Sequence, residues 1–465
     1  MRVLATRRQE MSDDRNIDFV LRTVEKRNIR FVRLWFTDVL GTLKSFAISA
    51  EDLEEAFEEG VGFDGSSVEG FVPLEESDML AFPDPSTFQI LPTKYTNGPS
   101  ARVICDIRTP HSKPFEGDPR SCLEALFRKL EARGYVANVG PRIEYFHFDY
   151  DGTPRPVDPR PLDYAGYFDL TSFDASSDLR RDTTMMLERM SVPVEYSFHS
   201  SAPSQSAVEL RYAEALTAAD NIVTARYVIR AEAHAAGQIA SFMPKPMTGI
   251  SGSGMFLYQS LFDREGTNLF WAAKESDSAG AVAHLSDLAS HYVAGLLKYA
   301  PEFTMVTNPT VNSYKRLVPG GDAPAYATWG RKNRSALVRV PMHKPGKHQS
   351  TRIELRSPDP AANPYLAIAA VLGAGIRGID EDLSLPEEMS AELLSDSPSE
   401  LARRGIVRLP TTLGEAIEAF EGSELMHEVL GDHIAEYLVA AKRKEWDEYC
   451  GVVTDWERSK YYAGI

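Results

Sequence analysis

The chain has 465 residues, 43% of them hydrophobic and 25% charged, and carries a formal net charge of −17. That length allows a large core and more than one folded unit. The acidic balance excludes nucleic acid and an anionic membrane surface as main partners, because phosphate binding needs a cationic face. Cys105, Cys122 and Cys450 are widely spaced with no Cys-x-x-Cys pair, which excludes a zinc knuckle or dithiol motif and fits a reducing cytoplasm.

The basic run Met1 to Arg8 is not followed by an apolar stretch, so it does not read as a secretory signal. From Asp14 to Lys26, Ile17, Val20, Leu21 and Val24 recur at helical spacing. Arg30 to Phe36 alternates as a strand, Leu40-Gly41 turns the chain, and Thr42 to Ile48 reads as a second strand. Ala50 to Glu59 is an acidic amphipathic helix, and Gln89–Leu91 and Ala101–Ile107 are short strands. Pro114 to Pro119 reads as a linker. Ser121 to Ala132 is a helix, with Gly134 placed to close it. Strands then alternate with helices to residue 380. Within that stretch Ala367 to Ile376 is the most apolar run, too short to span a membrane. Leu425 to Tyr449 reads as one helix with Val429, Leu430, Ile434, Tyr437, Leu438 and Ala441 on a broad apolar face.

Two segments concentrate chemistry. Lys315, Arg316, Arg331, Lys332, Arg334 and Arg339 flank the turn-rich loop Gly321 to Gly330. Arginine's planar fork suits carboxylate and phosphate; a solvated surface stretch is the alternative. In Thr351 to Arg356, strand alternation puts Arg352, Glu354 and Arg356 on one face. Three charges on a buried strand must be paired or serve a site, and a structural salt-bridge ladder is the alternative.

Phe63-Asp-Gly-Ser-Ser67, Phe242-Met-Pro-Lys-Pro246, Asn312-Ser-Tyr-Lys-Arg-Leu317, Asn333-Arg-Ser-Ala336 and the run from Arg352 through Arg356 to Leu366 together resemble a bacterial type I glutamine synthetase. Their order and spacing agree from about residue 15 to the end. The resemblance implies an α+β protein. Its N-terminal β-grasp domain would cover residues 1–112, and a catalytic-type domain with an antiparallel sheet flanked by helices would cover residues 113–465. It implies a cytoplasmic homo-oligomer, a dodecamer of two stacked six-membered rings with each active site between neighbours, and no membrane partner. It also implies the reaction: ATP phosphorylates the glutamate side chain and ammonia displaces the phosphate. Two Mg²⁺ or Mn²⁺ ions, held by five glutamates and a histidine, assist.

Carried onto this chain, the resemblance gives Asp64, Asp322 and Arg334 catalytic roles, Asp64 acting on ammonium in a neighbouring subunit. Arg316, Arg356 and Gly252 fall at substrate positions; Arg339, Arg352 and Ser260 fall at nucleotide-phosphate positions. The metal positions differ. Glu144 and Glu354 keep a carboxylate, whereas Arg142, Ser200 and Ala207 replace glutamates. Phe256 replaces the metal histidine, and Tyr258 a histidine near the phosphates. Glu209, two residues past Ala207, is kept out of the ligand position by the Leu-Arg-Tyr that follows, a shift of about 7 Å along a strand. His199 is expected as a satisfied pocket histidine. Divalent cations want oxygen-rich shells, so metal binding is expected to be lost or weak. The expectation is therefore a divergent paralogue: a pseudoenzyme without two-metal ligase activity, serving as scaffold, sensor or partner of an active paralogue. Its rival is an active ATP-dependent γ-glutamyl ligase using ammonia or a larger amine. Arg142 is expected to place its guanidinium beside Glu144 or Glu354 in the space of a cation. Asp382 to Glu387 holds no tyrosine and gives no support for control by adenylylation.

Overall fold

A computed structural model describes residues 15–71, 77–92, 98–150, 152, 160–170, 174–272, 285–342, 346–389 and 398–464. The basic N-terminal run and the first residue of the expected Asp14 helix lie outside the described residues. Helix α1 covers residues 15–26 and turns Val20 and Val24 into a core, as their spacing predicts. Strands β1 (Phe31–Thr37) and β2 (Leu43–Ser49) pair antiparallel. The turn between them uses Gly41 at φ +88°, a conformation that favours glycine. A 3-10 turn, Ala50–Asp52, leads into α2 (Leu53–Glu59), so the helix expected from Ala50 begins one turn late. Strands β3 (Val61–Asp64), β4 (Asp78–Pro83), β5 (Gln89–Leu91) and β6 (Ser100–Arg108) complete the first sheet. Its order is β2-β1-β6-β4-β3, with β5 beside β6. The β1–β6 pairing is parallel, which requires a long crossover.

The linker expected between Pro114 and Pro119 is tied down: the Phe115 amide donates to Ile107 O at 3.0 Å, and the Phe115 ring is buried. Asp118 caps α3 (Pro119–Ala132), accepting from the amides of Arg120 and Ser121. Gly134, at φ +87°, ends that helix, and the Tyr135 amide returns to Leu130 O at 2.9 Å. The second sheet is built on the 14-residue β7 (Val136–Asp149). Helix α4 (Ser177–Arg189) precedes β8 (Val194–His199), β9 (Gln205–Leu210) and the short β10 (Ala213–Glu214). Then come α5 (Ala215–Ala235), β11 (Gln238–Ser241), β12 (Met255–Phe262) and α6 (Asp287–Thr307). Strands β13 (Trp329–Gly330), β14 (Val338–Arg339) and β15 (Ile353–Leu355) finish the sheet. Its order is β13-β14-β15-β12-β7-β9-β8. The expectation of an antiparallel sheet needs one correction: β13 and β14 run parallel.

Helix α7 (Pro364–Asp380) is buried along most of its length, and the apolar run Ala367 to Ile376 lies within it as part of a core helix. Among the described residues no helix is long and apolar enough to cross a membrane. Asn363 caps α7, and its side-chain Nδ2 donates to Asp38 O and Val39 O at 3.0 and 3.2 Å, which ties the first sheet's turn to the second half of the chain. Helices α8 (Pro398–Arg403), α9 (Leu413–Glu421), α10 (Glu424–Leu430), α11 (Asp432–Cys450) and α12 (Asp455–Tyr461) follow. The single helix expected from Leu425 to Tyr449 is broken at Gly431, whose φ of +82° no helix can contain.

Candidate active site

One face of the second sheet forms the floor of a cleft of about 690 Å³. Strand register decides which side chains share that floor. Arg142 on β7 stands between Glu209 on β9 and Phe256 on β12, while Glu144 stands opposite Ala207. Tyr258 on β12 lies opposite Glu354 on β15, and Glu354 lies opposite Arg339 on β14. Cross-strand partners lie side by side on one face, so residues from five strands converge within a few ångströms.

The expected position of Arg142 is corrected by this register. Its guanidinium binds Glu209, not Glu144 or Glu354: Nε donates to Oε2 at 2.7 Å, and Nη2 lies 2.6 Å from the same oxygen. Nη2 also donates to the Tyr196 hydroxyl at 3.1 Å, and that hydroxyl donates to Glu209 at 2.8 Å. The rings of Phe198, Phe256 and Tyr258 surround the guanidinium at 5.7, 5.6 and 5.4 Å from their centres. Burial works against the charge, but Tyr258, Glu209, Tyr196 and Glu354 outweigh it and hold the Arg142 pKa above its ordinary value. The pairing of Arg142 with Glu209, and Tyr196 altogether, were missed in the sequence. The signal lay in strand pairing, which sequence spacing does not carry.

The two retained carboxylates are already occupied. Glu144 accepts from Ser200 Oγ at 2.9 Å and from the Gly254 amide at 2.8 Å. Glu354 accepts from Arg356 Nη1 at 2.7 Å and from Arg339 Nη1 at 3.0 Å. This donor set does not fit a pair of divalent cations: each carboxylate is matched by fixed donors, and Ala207 and Phe256 offer no ligand atom. The described residues that gather metal-type ligands are elsewhere, at Asp163, Asp174 and His199. There Arg180 Nη1 donates to Asp174 at 2.9 Å, and His199 bonds Asp163 at 3.0 Å. Both carboxylates of that cluster are already hydrogen-bonded, one to a guanidinium and one to an imidazole.

Most of the residues singled out in the sequence reach the cleft. Arg142, Lys245, Arg316, Arg334, Arg339 and Arg356 line it, against the carboxylates of Glu144, Asp322 and Glu354. Asp322 sits at the rim, where Ser251 Oγ donates to it. Arg316 is buried and spends its guanidinium on main-chain oxygens, Ser357 O at 2.6 Å and Arg356 O at 3.0 Å. Gly252 lets the chain pack closely on Pro244: a Cβ there would lie 2.3 Å from Pro244 O. Other expected residues lie outside the cleft lining. Ser200 and Ala207 support its floor. Arg352 stacks between Tyr212 and Tyr258, and Ser260 is buried further along β12. Asp64 is exposed at the end of β3, where the amide and hydroxyl of Ser66 donate to it at 2.9 and 2.7 Å and lower its pKa. Arg331 turns away to Glu388 at 2.7 Å.

The chain matches the family described as "Glutamine synthetase, beta-Grasp domain" over residues 28–110 and that described as "Glutamine synthetase, catalytic domain" over residues 116–461. The chain belongs to the glutamine synthetase family. It is 48% identical to the glutamine synthetase of Mycolicibacterium smegmatis over 455 residues, covering 97% of this chain and all of that one. It is 47% identical to that of Methanosarcina mazei, covering 96% of this chain and 97% of the relative. The solved structure of a GmaS/ADP complex matches with a TM-score of 0.83 at 28% identity, covering 95% of this chain and 99% of that chain. These relatives overturn the expectation of a pseudoenzyme acting as scaffold, sensor or paralogue partner. Glutamine synthetases share nearly half the residues of this chain along nearly its whole length. The physical error was to equate altered metal ligands with lost chemistry, although the cleft retains a dense set of fixed cations and Asp322 at its rim.

Proposed function

We propose that this chain is an ATP-dependent ligase that joins the side-chain carboxylate of glutamate to ammonia or a larger amine. The observation that carries the reading is the 48% identity to a glutamine synthetase over that enzyme's full length. The arginine-lined cleft supports it. In such a reaction a substrate carboxylate oxygen attacks the γ-phosphorus of ATP and the bond to ADP breaks. The amine nitrogen then attacks the acyl carbon of the resulting acyl phosphate, phosphate leaves, and the nitrogen loses a proton. Charge accumulates on phosphoryl oxygens in the first step and on the departing phosphate in the second, and pre-placed donors stabilise both.

In this reading Arg334 and Arg339 face the phosphoryl groups, and Arg356 holds a carboxylate through its planar fork. Gly252 lines the cleft at the substrate position, and Asp322 guards the rim. Because Asp64 is outside this cleft, its proposed part in deprotonating ammonium requires a second copy of the chain. A closed homo-oligomeric ring, stacked as a dodecamer in the cytoplasm, is part of the proposal. Since the donor set does not fit two divalent cations, no step is assigned to a metal.

The test is ADP release with ATP, glutamate and a panel of ammonia, ethanolamine, aniline and polyamines, run with Mg²⁺, with Mn²⁺ and with a chelator. Release that depends on both glutamate and one amine supports the ligase. ADP release that no amine and no carboxylate stimulates under any of the three conditions would overturn it.

A further inference from the structure

We infer that this cleft binds phosphate-bearing ligands through fixed guanidinium charge, with Arg142 as a built-in cation, and that binding needs no divalent metal ion. The inference rests on the reading of this cleft as the ligase site. Two features of the structure lead to it.

The first is charge. Six cationic side chains line the cleft against three carboxylates, and Glu209 beside it pairs with Arg142, which leaves a cationic excess of two in a chain whose net charge is −17. A cleft of the opposite sign to the rest of the molecule concentrates anions. The second is the state of the carboxylates. Glu144 and Glu354 each accept two hydrogen bonds from fixed groups. Drawing a divalent cation onto either one would break those bonds and set the ion near Arg142, Arg339 or Arg356, whose charges repel it.

Arg142 completes this set because it cannot drift. Glu209, Tyr196 and three aromatic rings fix its guanidinium on the sheet floor. A fixed cation needs no reorganisation when charge arrives, which is the condition under which electrostatic stabilisation is largest.

Inorganic pyrophosphate is the probe, titrated by calorimetry into the full-length protein in chelator and in excess Mg²⁺. The expected result is saturable binding in chelator, with an affinity within about threefold of that in Mg²⁺ or stronger, and a fall with added salt as charge screening requires. Binding that appears only with Mg²⁺, or strengthens tenfold or more with it, would overturn the inference. Arg142→Met should weaken binding in chelator at least tenfold while a thermal melt shows that the variant folds; unchanged binding by a folded variant would also overturn it. If Arg142→Met does not fold, the chelator titration of the unaltered protein still decides the matter. The ligase reading fails separately: pyrophosphate binding in chelator without amine-dependent ADP release sinks the ligase and leaves the anion site. Amine-dependent turnover with strictly metal-dependent pyrophosphate binding does the reverse.

Discussion

At the scale of single residues, Arg142 shows how one guanidinium is retained on a sheet floor. Its side chain is 17% exposed and that of Glu209 is 5% exposed, so each charge depends on the other. Removing one partner of a buried pair costs about 3–5 kcal/mol, because the survivor is left uncompensated. Arg142→Ala and Glu209→Ala are each expected to lower the urea unfolding free energy by about 3 kcal/mol. The double variant should lose less than the sum, and strict additivity in that cycle would mean that the pair is not coupled. His199 offers a second test. Both of its ring nitrogens face acceptors, Nδ1 the Ser200 carbonyl at 2.8 Å and Nε2 the Asp163 carboxylate at 3.0 Å. Only the imidazolium donates from both. Burial opposes that charge, but the hydrogen bonds to Asp163 and Ser200 raise the His199 pKa, and the same pair lowers that of Asp163 against its burial. A raised histidine gives stability that is complete below about pH 6.5, its unfolded value, and is lost as pH rises through the folded value. A lowered aspartate gives stability that is lost as pH falls through its folded value. The urea midpoint should therefore drop as pH rises above about 6.5, and His199→Gln should flatten that slope. An identical slope in the variant would show that the histidine is neutral.

At the scale of elements, one arginine joins the two sheets. Arg120, in the first turn of α3, donates to Asp106 on β6 at 2.6 Å, to Asp84 after β4 at 2.8 Å, and to Asp220 on α5 at 3.0 and 3.1 Å. The Tyr365 hydroxyl of α7 adds a bond to Asp220 at 2.7 Å. Burial weakens the Arg120 charge, and the three carboxylates more than restore it. Arg120→Met leaves them facing one another without a cation. The expected result is a loss of about 3–5 kcal/mol and protease sensitivity between residues 108 and 119. Wild-type stability in that variant would mean that the sheets are joined by apolar packing alone. This cluster also marks where sequence reading stops. Helix α1 and strand β1 follow from apolar spacing, because the period records the buried face, whereas β6 was legible only as a short apolar run, being buried on both faces. Arg316, Arg334 and Arg339 of the cleft were legible as a concentration of charge, and Asp322 and Arg142 only through the family resemblance. The partners of Arg120 and Arg142 were not, since they come from strands and helices far apart in the chain. The same holds for Gly431: apolar residues continue on both sides of it, and only its positive φ, invisible to periodicity, divides α10 from α11.

At the scale of the whole molecule, the C-terminal segment is the part that this chain alone does not explain. Helix α12 is properly capped, with Thr454 and Glu457 forming a reciprocal box, yet it buries none of its residues. Val452, Val453, Trp456 and Tyr462 are 59, 59, 64 and 87% exposed. Seven residues are too few for a helix to hold in water by itself, since isolated helices shorter than about 12–15 residues are marginal. Clustered apolar and aromatic exposure of this kind marks a surface that another surface covers. A second copy of the chain is the covering surface in the ring proposed above, and Asp64, exposed away from its own cleft, also needs a neighbour to act. Light scattering of the full-length protein should give the mass of a closed multi-subunit assembly, as expected when one surface repeatedly meets a different one around a ring. Deleting the residues after Gly451 should shift that mass to a smaller species. Trp456→Glu should do the same with the rest of the fold intact, because a charge there costs little in solvent and much at a buried contact. If the tail joins two rings, the smaller species should be a single ring that keeps Asp64 of one subunit beside the cleft of the next and retains ADP release. A monomeric mass for the unaltered chain would sink both the assembly and the proposed role of Asp64.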